Sequence, residues 1–321
     1  MVVSTSLPKL EDVIDAAERI AGAVKTTPLI ETSIDGTRYW LKCESLQTGG
    51  AFKLRGASNR LLRLSADEQA RGVVAFSSGN HARGVAIAAR RLGMRAIIVM
   101  PADAPTVKVE GTRSEGAEII FYDRMGESRE AIAARISSET GATVVPSFDD
   151  RDVVSGQGTV GLELLAQLAT KGEPRPPSVV VPCGGGGLAS GIALAIADAE
   201  IIAVEPEGWD DMARSLAGGE IVSVAADAPP TLCDALQTPR VSPITFAILR
   251  ERGALALAVN DGEVEEAIRF AFREHELTLE PGGAVALAAV LAGKCAPPAG
   301  SVIILSGGNV DPALHARIAG G

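Results

Sequence analysis

Aromatic side chains are scarce, with seven Phe, two Trp and two Tyr in 321 residues, so Ala, Val, Ile and Leu must build the interior. Basic charge is short as well: 30 Lys plus Arg stand against 40 Asp plus Glu, a net −10. A field of that sign repels phosphate backbones and anionic headgroups, which argues against a nucleic-acid or membrane partner. No long apolar run is present. The longest, residues 284–292, falls well short of the roughly 20 residues a bilayer span needs, and Pro8, Glu11 and Asp12 stand where a signal peptide is apolar. A cytoplasmic protein is expected. Cys43, Cys183, Cys233 and Cys295 form no C-x-x-C pair, so neither a zinc site nor a disulfide framework is expected, and Cys183 is notable only for abutting a glycine run.

What is present is a folded chain of ordinary balance, 46% hydrophobic and 22% charged. Its length is about twice that of a typical domain, which suggests two compact units or one interrupted one. Strand-like apolar runs at 73–76, 96–100, 118–122, 143–145, 178–181, 201–204 and 301–305 alternate with segments of helical spacing at 81–92, 127–140, 158–169, 188–199 and 263–275. This alternation predicts an α/β protein with open parallel sheets. Residues 172–177 form a Gly- and Pro-rich connector. The stretch 66–149 holds three or four βα units of its own, so it is expected to be a smaller domain inserted in a larger one built from 1–65 and 150–321.

Ligands of open parallel sheets sit beyond the carboxyl ends of strands, where helices begin and N–H groups point outward. Three segments occupy such places: Ser77-Ser78-Gly79-Asn80-His81, Cys183-Gly184-Gly185-Gly186-Gly187-Leu188 and Ser306-Gly307-Gly308-Asn309. Four consecutive glycines at a helix start suit a phosphate dianion. Gly184-x-Gly186-x-x-Ala189 also fits a loose dinucleotide fingerprint, with Glu205 as ribose-binding acid, and Gly156-x-Gly158-x-x-Gly161 matches the strict one without a convincing strand before it. Lys53 lies among Gly49, Gly50, Ala51, Phe52, Leu54, Gly56 and Ala57, which would desolvate it and supply the neutral amine a Schiff base requires. The alternative is a solvated lysine at a helix start. Glu205-Pro206-Glu207-Gly208-Trp209-Asp210-Asp211 brings four carboxylates into seven residues, either an acidic surface loop or oxygen ligands for a hard cation. No G-x-S-x-G elbow accompanies the serines, so a hydrolase triad is not expected.

Read in order, the motifs resemble those of the fold-type II pyridoxal-phosphate enzymes, in particular the serine/threonine dehydratase and serine racemase family. The resemblance runs from about Leu7 to Asp311 and rests on Lys42-x-Glu44-x-x-Gln47, Phe52-Lys53-x-Arg55-Gly56-Ala57, Ser77-Ser78-Gly79-Asn80-His81-Ala82, Gly184 to Leu188, Glu280-Pro281-x-Gly283-Ala284 and Ser306-Gly307-Gly308-Asn309. It implies a tryptophan-synthase-β-like fold and a homodimer. It further implies that Lys53 carries pyridoxal phosphate and that Gly184, Gly185, Gly186 and Gly187 hold its phosphate. Phe52, Leu188 and Glu280 would complete the cofactor pocket, Asn80 would bond the phenolic oxygen, and Ser306 would face the pyridine nitrogen. Ser77, Ser78, Gly79, Asn80 and His81 would bind a small amino-acid substrate by its carboxylate.

The implied reaction is loss of water from a 3-hydroxy amino acid of the L-serine/L-threonine type, giving a 2-oxo acid and ammonia, with Lys53 as base. The family's alternatives are 3-hydroxyaspartate dehydration and serine racemisation, the latter using Ser78 as acid/base opposite the lysine. By the same match Glu205, the Trp209 carbonyl and Asp211 would bind Mg, Mn or Ca. Two departures stand out: Ala51 replaces a common serine, and Arg83 replaces a common glutamine, a charge that would favour an acidic substrate if it points inward.

Overall fold

The computed structural model describes residues 6–104, 106–124 and 126–320. Ten strands occur in chain order: β1 Leu29–Ile34, β2 Thr37–Cys43, β3 Val73–Phe76, β4 Ala96–Pro101, β5 Glu118–Tyr122, β6 Thr143–Val144, β7 Ser178–Pro182, β8 Glu200–Pro206, β9 Leu255–Val259 and β10 Val302–Leu305. The helices are α1 Leu10–Arg19, α2 Lys53–Leu62, α3 Ala66–Arg71, α4 Asn80–Arg91, α5 Thr106–Arg113, α6 Arg129–Thr140, α7 Arg151–Thr170, α8 Gly187–Ala195, α9 Asp211–Gly218, α10 Pro243–Glu251, α11 Asp261–His275, α12 Pro281–Leu291 and α13 Pro312–Ala319.

Two sheets result. The larger runs β1-β2-β10-β7-β8-β9 and the smaller β5-β4-β3-β6, all neighbours parallel except the β1–β2 hairpin. The hairpin turns on Asp35 and Gly36, at φ 48° and 77°, the two positive φ values a two-residue turn needs to follow the strand twist. Its strands lack the continuous apolar run that marks the buried parallel strands; neither is among the strands expected from the sequence, nor is the apolar edge strand β9. Seven of the other strands stand within a residue or two of their expected positions.

Apolar residues fill both faces of the larger sheet: α7 and α8 cover one, α11 and α12 the other. The 284–292 run is the body of α12, which is buried along almost its whole length. It is a core helix, and truncating Leu287 there to Ala costs about 2–5 kcal/mol. Among the described residues no helix is long and apolar enough to cross a membrane. The four cysteines are free thiols, three of them buried. Strands β3, β7 and β10 all end toward one cleft, into which α2, α4 and α8 begin.

Candidate active site

One cavity of about 360 Å³ gathers all three strand-end segments. Phe52, Lys53, Ser77, Ser78, Gly79, Asn80, His81, Gly184, Gly185, Gly186, Gly187, Leu188, Glu280 and Ser306 all line it, so every residue named for cofactor or substrate from the sequence stands at one place. Chain segments more than two hundred residues apart supply them, and only the crossovers of the parallel sheets bring them together.

Lys53 is the first residue of α2, and its Nζ donates to the Ser147 carbonyl at 3.1 Å. Burial pulls its pKa down to about 8, with Glu280 opposing the shift. At pH 7 roughly a tenth of such amines are neutral, far more than for an ordinary lysine. Glu280 is the converse case. Burial pushes its carboxyl up to about 7, against a hydrogen bond of 2.5 Å from the Asn80 amide. The Asn80 carbonyl oxygen accepts from Asn309 at 2.7 Å, so its side chain is held at both ends with one N–H to spare.

His81 is buried, and its pKa falls to about 3 through desolvation, with Lys53 adding to the effect. It is neutral. Its Nε2 lies 2.9 Å from the Val145 carbonyl, an acceptor only, so Nε2 carries the proton and Nδ1, which has no partner, is a bare acceptor. Ser77 Oγ accepts from the Gly79 N–H at 3.2 Å and shapes the turn into α4.

The glycine loop is shaped for an anion rather than for side chains. Gly186 has φ +83°, and a Cβ on Gly185 would stand 2.3 Å from the Phe148 ring. The loop's N–H groups and the start of α8 supply donors and a positive dipole end, and the neighbouring lysine and arginines add charge. These features fit a phosphate-bearing cofactor whose other end reacts with an amine.

Several lining residues carried no sequence signal because they lie in loops without a motif: Ser147 and Phe148 after β6, Arg129 at the start of α6, and Thr238 and Arg240 before α10. Arg129 donates to Glu130 at 2.9 Å and stacks over Phe76, whereas Arg240 pairs with no acceptor among the described residues. Arg83 does not line this cavity. It donates to Asn309 at 3.1 Å, lies 3.9 Å from Glu115 and faces a separate space of about 140 Å³, so the inward placement that would have suited an acidic substrate is not found. Ala51 is buried and bridges to Gly307 in antiparallel fashion.

The strict glycine fingerprint of residues 156, 158 and 161 lies inside α7, with no strand feeding it, and packs against other helices. It cradles no phosphate.

Glu205, Trp209 and Asp211 form a second place, outside the cavity. Glu205, buried at the end of β8, accepts from the N–H groups of Met212 and Ala213 at 2.9 and 2.8 Å. Asp211 begins α9; it is buried, and neither of its oxygens has a well-formed hydrogen bond, though its own amide and that of Val241 approach it. Desolvation raises both carboxyls, Asp211 to about 6. Two neighbouring buried carboxylates, the oxygens of Asp211 orphaned, fit a hard cation. No third carboxylate, imidazole or thiol forms a ligand group with them among the described residues, so carbonyls and water would complete its shell.

Parallel sheets with a buried amine facing a glycine cradle across one cavity define an α/β enzyme that works through a phosphorylated, amine-reactive cofactor. The chain belongs to the family described as pyridoxal-phosphate dependent enzyme, whose pattern matches residues 20–307. It is 42% identical to an L-threo-3-hydroxyaspartate ammonia-lyase of Pseudomonas sp, over 97% of this chain and 98% of that protein. Among solved structures, maize serine racemase superposes with a TM-score of 0.91 at 37% identity, covering 97% of each chain. A threonine deaminase of T.th. gives 0.88 at 42% identity, over 95% of this chain and 99% of that one.

Proposed function

We propose that this chain is an ammonia-lyase that removes water from a 3-hydroxy amino acid and releases a 2-oxo acid and ammonia. The observation that carries the reading is the single cavity in which the buried Lys53 amine, the glycine loop and the Ser77–His81 turn meet. Lys53 would hold pyridoxal phosphate by its amine, the N–H groups of Gly184, Gly185, Gly186 and Gly187 its phosphate, and Asn80 and Ser306 its ring, between Phe52, Leu188 and Glu280. Bound there, the cofactor supplies a sink for the electrons of the substrate's Cα–H bond.

The chain's own groups do the rest. The substrate carboxylate docks on the N–H donors and hydroxyls at the start of α4, which need no fixed arginine. Lys53 Nζ, displaced and neutral, takes the Cα proton. A neutral Ser306 hydroxyl, where a carboxylate would hold a proton on the ring nitrogen, favours prompt loss of the 3-hydroxyl over long storage of negative charge. Ser78 is the group for a second acid/base on the other face, and its presence in the cavity supports racemisation as a side activity. The relatives named as hydroxyaspartate ammonia-lyase, threonine deaminase and serine racemase support this range of substrates.

Between an L-serine/L-threonine and a 3-hydroxyaspartate substrate, the unpaired guanidinium of Arg240 on the cavity wall favours the dicarboxylate. Glu205, Asp211 and the Trp209 carbonyl would hold Mg, Mn or Ca in a structural or activating role, remote from the reacting atoms. A homodimer in the cytoplasm, with residues 66–149 as a smaller unit that closes on substrate, completes the proposal. The test is absorbance of the purified protein with pyridoxal phosphate, followed by 2-oxo acid assays with DL-threo-3-hydroxyaspartate, L-serine and L-threonine. A visible lysine-bound band that is lost in Lys53→Ala, with oxo acid formed from at least one of these, is expected. The absence of both would overturn the reading.

A further inference from the structure

Three buried charged side chains and a fourth that is mostly buried, Glu163, pack together beside Lys53, and none of them touches the cavity. Arg55, two residues after Lys53, is buried and grips Glu44 with two hydrogen bonds of 2.8 Å, Nε to Oε2 and Nη2 to Oε1. Its Nη2 also donates to Glu163 at 3.0 Å, and Lys42 reaches the other oxygen of Glu163 at 2.5 Å. Burying charge is expensive unless each ion is paired, and here two cations meet two anions. Such a network specifies geometry more than it adds stability.

Three contacts on α7 converge on the first turn of α2. A helix's first N–H groups lack partners within the helix, and Phe52 offers no side-chain cap. Gln157 supplies one from outside: its Oε1 accepts from the Gly56 N–H at 3.1 Å. Two residues further, Thr159 Oγ1 accepts from Arg55 at 3.3 Å, and a turn beyond that stands Glu163. The helices can meet this closely only because Gly156 faces Gly56; a Cβ on Gly156 would lie 2.7 Å from the Gly56 Cα.

The opposite face of α7 holds α8, the helix that opens from the glycine loop. A Cβ on Gly158 would stand 2.6 Å from the Gly191 carbonyl, and one on Gly161 2.7 Å from the Ala195 side chain. One helix therefore bears on both parts of the site, the start of α2 that carries the amine and the helix behind the phosphate loop.

We infer that α7 is a positioning element for catalysis, in which Gln157, Thr159 and Glu163, acting through Gly56 and Arg55, fix the Lys53 amine relative to the glycine loop. None of the three is a catalytic residue. The inference rests on Lys53 as the cofactor lysine. A displacement of about 1 Å at a reacting group costs roughly a hundredfold in rate, so small losses of grip should be visible.

The test compares Thr159→Val, which is isosteric and removes the acceptor, with Thr159→Ser, which keeps it, alongside Gln157→Met and Glu163→Gln. Three quantities are read: kcat and KM, the affinity for pyridoxal phosphate, and the pH dependence of Lys53 modification by an amine-reactive reagent in cofactor-free protein. Thr159→Val and Gln157→Met are expected to lower kcat about tenfold or more, to change KM less than about twofold, to weaken cofactor binding and to move the Lys53 titration upward as the amine meets more water. Thr159→Ser should restore all three. If Thr159→Val and Gln157→Met lose thermal stability while kcat and the Lys53 titration stay within twofold of the parent, α7 is packing alone and the inference falls. Glu163→Gln leaves a buried cation short of a partner and could unfold the protein, in which case the Thr159 pair carries the test. Failure of the parent protein to form the lysine-bound band would instead refute the proposed function, independently of the variants.

Discussion

Replacing Glu280 with Gln isolates the titration of one buried carboxyl beside Lys53. Desolvation raises that group from 4.5 to about 7, with Asp234 adding to the rise and the Asn80 amide, Lys108 and Lys53 opposing it. In the unfolded chain the same carboxyl returns to its ordinary value, about 4.3. Between these values the folded state binds the proton more tightly than the unfolded one, so the contribution is full below the unfolded pKa and is lost as pH rises through about 7. Carrying the carboxyl from 4.5 to about 7 amounts to about 3 kcal/mol of stability that is lost as pH rises from 4.5 to above 7. Gln does not titrate, yet its carbonyl oxygen can still accept from Asn80. Denaturant unfolding of both cofactor-free proteins at several pH values across that window checks the reasoning. The parent should lose about 3 kcal/mol more than Glu280→Gln as pH rises. Parallel curves would show that Glu280 ionises at its ordinary pKa, and that the carboxyl is better solvated than its surroundings indicate.

Three other outcomes are expected. Arg240→Gln should raise KM for L-threo-3-hydroxyaspartate about tenfold or more, the worth of a hydrogen bond to charge, and leave L-serine within about twofold; equal effects on both would remove Arg240 from side-chain recognition. Gly185→Ala drives a methyl to 2.3 Å from the Phe148 ring, and overpacking of about 1–3 kcal/mol should weaken pyridoxal phosphate binding by about five- to a hundredfold, as read by absorbance titration. Chelation of divalent ions should lower the Tm of the parent and leave that of Asp211→Asn unchanged; a parent indifferent to chelator would leave the Glu205–Asp211 pair without a cation.

Much of the fold was legible because buried parallel strands advertise themselves as unbroken apolar runs, as 73–76 and 178–181 do. The hairpin of β1 and β2 was not, since its strands mix polar and apolar residues; β9 is apolar throughout, but its Leu and Ala favour helix as much as strand. The candidate site residues were legible for a different reason: the motifs, taken in order, resemble one family, whereas the glycine loop at 184–187 and a lysine among small apolar neighbours each left a plainer reading open. The reach of Arg83 was not, because a long flexible side chain at a helix start can turn either way, and Asn309 and Glu115 decided it.

The sequence by itself determined the alternation of strands and helices, the anion-shaped glycine loop and a lysine flanked by small and apolar residues, since all three depend on neighbours in the chain. Only the tertiary structure decided that Lys53, His81, Gly185, Glu280 and Ser306 share one cavity, that Phe148 and Arg240 border it, and that the glycines of α7 separate helices instead of cradling phosphate. The physical reason is range. Backbone conformation and apolar patterning act over a few residues, whereas desolvation, a carboxyl raised to about 7 and an amine lowered to about 8 arise from groups that meet only when distant strands close into a sheet.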